Sequence, residues 1–294
     1  MTDAPSADIH VDTELAATLV ATQHPDLAGP VTFAANGWDC ALFRLGDDLA
    51  VRLPRRTSAA GLVLHEQRWL PELAALSPVP LPAPVRVGRP TREFPFAWSI
   101  VPWFEGVAAY TIEPASRAAA APGLAAFVAA LGTGAPADAP LNPFRGVPLV
   151  VRDDVVQERL ASGRLPDVRA LTAVWEHSLA APAWDGPPVW VHGDLHPANL
   201  VLAASGALAA VIDFGDVCAG DPACDLATAW LTFDAAGRAA FRAEVEHRQP
   251  TDAATWDRAR GWALVLGSSI VDSVGTTGAL GRVGAHTLAH VLLD

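Results

Sequence analysis

Short apolar runs broken by turn residues dominate the first third of the chain. Residues 31–35, 40–45 and 49–53 are such runs, divided by Asn36-Gly37-Trp38-Asp39 and by Gly46-Asp47-Asp48. This pattern predicts an antiparallel meander of three strands. Ahead of it, a helical pattern from Asp12 sets Leu15 and Leu19 on one face and breaks at Pro25. Behind it, Leu62, Glu66, Trp69, Leu70 and Leu73 recur at helical spacing over 59–76, and prolines at 78, 80, 82 and 84 force an extended crossing. Two more strands are predicted at 85–87 and 96–101.

Beyond Gly106 the pattern changes to alanine-rich helical segments, interrupted by a Pro/Gly-rich loop over 132–148 and by a strand hairpin near 189–213. The fold expected is therefore α+β. A sheet-rich lobe of residues 1–105 comes first, and a larger helical lobe of residues 106–294 follows, with the boundary at 102–106. Three tryptophans within amphipathic patterns, Trp69, Trp175 and Trp230, are assigned to the core. Trp38 and Trp103 are set apart because each lies in a loop.

Bulk properties narrow the function. The chain has 294 residues, 51% of them hydrophobic, enough for a substantial core. No apolar run approaches the roughly 18 residues of a membrane span, and no basic-then-apolar leader opens the sequence, so a cytoplasmic protein is expected. Cys40, Cys218 and Cys224 lack paired metal-ligand spacing and are read as reduced thiols. A formal charge of −12 argues against nucleic acid and anionic membrane as partners. All 20 basic residues are arginine, which excludes a phosphate loop ending in lysine.

The candidate chemistry is concentrated in two segments. His-Gly-Asp-Leu-His-Pro-Ala-Asn occupies 192–199 between the apolar runs 189–191 and 200–202, and Val-Ile-Asp-Phe-Gly-Asp occupies 211–216. Two strand ends thus present Asp194, Asn199 and Asp213. Phosphoryl transfer requires one carboxylate to orient the attacking hydroxyl and hard oxygen ligands for magnesium on the phosphates. Asp194 suits the first role, Asn199 and Asp213 the second.

Taken together, His-x-Asp-x-x-x-x-Asn and Asp-Phe-Gly resemble the catalytic and metal loops of the protein-kinase superfamily. With Gly193, His196-Pro197, Gly220-Asp221-Pro222 and Asp225-Leu226, the chain is similar to the aminoglycoside and macrolide phosphotransferases. The resemblance implies a protein-kinase-like two-lobe fold. It also implies transfer of a γ-phosphoryl group from ATP or GTP, lying between the lobes with Mg2+, to a hydroxyl of an antibiotic or similar metabolite bound by the larger lobe.

The same resemblance places Arg52 where the family carries a phosphate-binding lysine, with Glu66 as its helix partner; an ordinary ion pair is the alternative. It sets Asn36 in a degenerate phosphate loop and the backbone of 102–104, with Trp103, at the base. His192 is expected to brace the catalytic loop, and His196 either contacts substrate or packs the loop. Asp221 and Asp225 are read as structural, Asp225 as a helix cap, and Arg55 and Arg56 as solvated. The lobes carry net charges of −4 and −8, so the acceptor is expected to be cationic, drawn to Asp216 and Asp272. A protein kinase ranks lower because no Ala-Pro-Glu segment follows the metal loop. A non-catalytic nucleotide-binding module is the other alternative.

Overall fold

The computed structural model describes residues 6–293. The leaderless amino terminus expected from the sequence lies partly outside them. Contacts divide the chain into two compact units: the segment up to Ala75 with Leu81–Phe104, and Leu76–Pro80 with Glu105–Asp294.

The first unit opens with α1 (Thr13–Gln23), whose N-cap Asp12 accepts a hydrogen bond from the Leu15 amide at 2.8 Å. Strands β1 (Val31–Asn36), β2 (Cys40–Leu45) and β3 (Leu49–Pro54) follow, then α2 (Ala60–Leu76), β4 (Arg86–Gly88) and β5 (Trp98–Pro102). The sheet is antiparallel throughout, in the order β1-β2-β3-β5-β4. Alternate residues of β2 and β3, such as Phe43, Leu45, Val51 and Leu53, point into a core shared with Leu19 and Val20 of α1 and with Trp98 and Ile100. Gly88 is required here, because a Cβ would stand 1.8 Å from the Trp98 ring.

The second unit contains β6 (Val107–Ala108), α3 (Ala121–Leu131), α4 (Asp153–Ala161), α5 (Val168–Ala180), β7 (Val189–Val191), β8 (Leu200–Leu202), β9 (Leu208–Val211) and β10 (Cys218–Gly220). Helices α6 (Ala223–Leu226), α7 (Thr228–Thr232), α8 (Ala235–Arg248), α9 (Ala253–Val274) and α10 (Gly278–His290) complete it. The expected hairpin over 189–213 is only half correct. β8 does turn back on β9, but β7 pairs with β10 instead. Trp175, Trp190, Trp230 and Trp262 are buried in this unit, as Trp69 is in the first. Among the described residues no helix is long and apolar enough to cross a membrane.

Candidate active site

The segment between β7 and β8 is held by its backbone. Asp225, inside α6 rather than capping a helix, accepts the amides of His192 at 2.6 Å and Gly193 at 2.9 Å. His192 is fully buried; its Nδ1 accepts from the Asp194 amide at 3.2 Å, so Nε2 carries the proton and donates to the Ile212 carbonyl at 3.0 Å. Its ring lies 4.5 Å from that of Phe214, which ties this loop to the Asp-Phe-Gly turn. Gly193 has φ +84°, and a Cβ there would meet the Asp216 carbonyl at 2.7 Å; only glycine fits.

This scaffold places Asp194 among donors. Arg145 donates to Oδ1 at 3.2 Å, and His196 Nε2 lies 3.2 Å from Oδ2. Burial pushes the Asp194 carboxyl up, but His196 and Arg145 outweigh it and hold the group well below the usual carboxylate range. Burial likewise disfavours a charged His196, and the Asp194 charge overcomes it and raises that pKa. The Ala198 amide donates to Nδ1 of His196 at 3.2 Å, so the ring proton on Nε2 faces Asp194. These contacts tie His196 to the loop backbone and to Asp194.

Asn199 is buried, and its Nδ2 donates to the Asp194 carbonyl at 2.9 Å. That bond occupies the amide nitrogen, so the amide oxygen is the side-chain atom that could ligate a metal. The Ile212 amide donates to the Asn199 carbonyl at 2.9 Å, which brings the neighbouring Asp213, exposed and in the left-handed region at φ 65°, close to it. One amide oxygen and one carboxylate suit magnesium held mainly by nucleotide phosphates and water. Among the described residues no three His, Cys, Asp or Glu side chains form a metal cage by themselves.

Two contributors carry no motif. Asn142 and Arg145 lie in the Pro/Gly-rich loop, which is anchored by the bonds from the Ala219 amide to the Pro140 carbonyl and from the Asp221 amide to the Gly146 carbonyl, each 2.9 Å. Asn142 donates to Asp216 Oδ1 at 2.8 Å, and Arg145 lies 3.5 Å from Asp216 Oδ2. Burial and the Asp194 charge still leave the Asp216 pKa raised. Asp272, on α9, is paired with Arg164 and lies 4.0 Å from Arg159 Nε. Both carboxylates expected to attract a cationic acceptor are thus already matched to arginines. Asp221, equally structural, is paired with Arg258 at 2.7 Å.

In the first unit, Arg52 and Glu66 form an ion pair with side chains 15% and 5% exposed, so this is not an ordinary surface contact. Asn36 is exposed at the end of β1. The turn after it is pinned by Arg55, which is buried and donates to the Gly37 carbonyl at 3.1 Å, and by Arg56, 3.2 Å from Asp39. Neither arginine is simply solvated, as the sequence had suggested. Trp103 lies under the Arg44 guanidinium at 4.8 Å, and its amide is committed to the Asp48 carbonyl at 2.8 Å. Pro102 has no N–H, so of residues 102–104 only Phe104 could offer its amide to a base.

No protein of curated function matches the chain in sequence. Solved structures do match in fold. An aminoglycoside 2'-phosphotransferase-IIIa in complex with GDP aligns with TM-score 0.71 and 18% identity, over 96% of this chain and 99% of that one. A phosphotransferase in a ternary complex with streptomycin and ATP gives 0.60 and 18%, over 90% of each chain. The macrolide 2'-phosphotransferase of Brachybacterium faecium, an apoenzyme, gives 0.63 and 20%, over 94% and 97%. The two-lobed, protein-kinase-like architecture is therefore shared along nearly the whole length. With residues 30–262 also matching the model of the phosphotransferase enzyme family, the chain belongs to that family.

Proposed function

We propose that this phosphotransferase moves the γ-phosphoryl group of ATP or GTP to an alcohol oxygen of a small molecule, either an antibiotic or a metabolite of similar size. The observation that carries the reading is Asp194, a carboxylate kept ionised by Arg145 and His196 on a loop whose amides are fixed by Asp225 and His192. Oδ1 of Asp194 retains a lone pair beyond its contact with Arg145, and the side chain is 28% exposed. It orients the acceptor hydroxyl and takes its proton as the oxygen–phosphorus bond forms and the β,γ-bridging bond breaks toward the nucleoside diphosphate. So weak a base suits a loose transition state, in which positioning matters more than proton abstraction. Asn199 and Asp213 would hold magnesium, which neutralises charge developing on the transferred group. The Arg52–Glu66 pair supplies a guanidinium fork for the α- and β-phosphates.

Solved relatives carry GDP, or ATP with streptomycin, which supports both the nucleotide and a small acceptor. The test is a phosphorylation screen with ATP and with GTP across aminoglycosides, macrolides and hydroxylated metabolites. Transfer to at least one alcohol, dependent on magnesium, is expected. Nucleotide binding without transfer to any member would favour the non-catalytic module.

A further inference from the structure

The segment from Asn142 to Arg152 carries a feature that phosphoryl transfer alone does not explain. Arg145 is matched by Asp194 and Asp216. Arg159, on α4, is matched by the Val265 carbonyl, Ser268, Ser269 and Asp272. Arg152, immediately before α4, has no such partner. Its guanidinium lies 5.4 Å from the Phe144 ring, its Nε is buried without a hydrogen bond, and among the described residues its side chain forms no hydrogen bond or ion pair, not even with Asp153 or Asp154. Burial and repulsion from Arg145 hold its pKa below the ordinary value.

A half-buried cation beside a second cation and without a counter-charge is unfavourable, and folded chains keep such local conflicts mainly where a ligand resolves them. We propose that Arg152, with Arg145 beside it, forms an anion subsite for the acceptor, so that the acceptor carries a carboxylate or phosphate group besides the hydroxyl it presents to Asp194. The inference rests on the phosphotransferase reading. Nε is enclosed, so the two terminal nitrogens of Arg152 are the atoms that present an end-on fork to two anionic oxygens. Phe144 and Val151, 58% and 54% exposed, give the remainder of the acceptor an apolar surface. The acidic total charge of the lobe points the other way, but Asp216 and Asp272 are matched to arginines, and the local charge decides recognition.

Inorganic phosphate serves as the probe anion, titrated calorimetrically into the full chain saturated with magnesium and a non-hydrolysable ATP analogue. The wild type should bind it, Arg152→Gln should weaken it by about tenfold, and Arg152→Lys should keep part of the affinity. In the transfer assay, a sugar bearing a carboxylate should be preferred to its neutral counterpart by the wild type, and Arg152→Gln should erase that preference. No phosphate binding, equal binding by Arg152→Gln, or better turnover of an amine-bearing sugar would overturn the proposal. Phosphate binding with no transfer to any alcohol would instead leave the subsite standing and count against the phosphotransferase reading.

Discussion

Residues 192–199 and 140–152 meet at Asp194, yet they are held in different ways. In the first, consecutive amides of His192, Gly193 and Asp194 are bound by buried side chains, and His192, Leu195, Pro197 and Asn199 are buried. In the second, a few backbone bonds anchor the chain, and Leu141, Phe144, Val150 and Val151 are exposed. A base must be fixed before the substrate arrives, because reorganisation during reaction raises the barrier. A surface that recognises one acceptor rather than another needs apolar area and charge more than rigidity. The proposed base, Asp194, sits on the first segment, whereas the second contributes Arg145 and Arg152.

Breaking the rigid side should have the larger effect. Asp225→Ala leaves two buried amides without an acceptor and is expected to lower stability by about 2–5 kcal/mol and to reduce kcat more than nucleotide affinity. Urea unfolding and initial rates check this; unchanged kcat would mean that the loop holds its geometry without Asp225. A smaller effect is expected on the other side from Arg145→Met. Arg145 helps to depress the Asp194 pKa, so its loss raises that pKa and shifts the acid limb of the kcat profile to higher pH. An unmoved limb would show that Asp194 titration does not depend on this segment.

The sequence made the first unit legible because short apolar runs and tight turns are local signals. The meander, α2 and β5 all follow from them. Residues 192–199 stood out in the sequence because the proposed chemistry requires certain residue types at fixed spacing. Strand β10 was not, since Cys218-Ala219-Gly220 has neither length nor alternation and becomes a strand only by pairing with β7. Arg145 and Asn142 were missed for a similar reason. They lie in a loop without periodicity, more than 45 residues from Asp194, and only tertiary packing gives them partners. The expected roles of Asp216 and Asp272 relied on net charge, which does not report which carboxylate is already paired. Arg55 was placed in solvent on residue type alone, and its burial depends on the Gly37 carbonyl that it meets.

The most direct measurement is single-turnover phosphoryl transfer by Asp194→Asn beside its affinity for the magnesium–nucleotide complex. This substitution keeps the shape of the side chain and removes its charge. A fall in the transfer rate of at least about 100-fold, with nucleotide affinity within about threefold of wild type, is predicted. Transfer retained at more than about a tenth of the wild-type rate would contradict the assignment of Asp194 as the base.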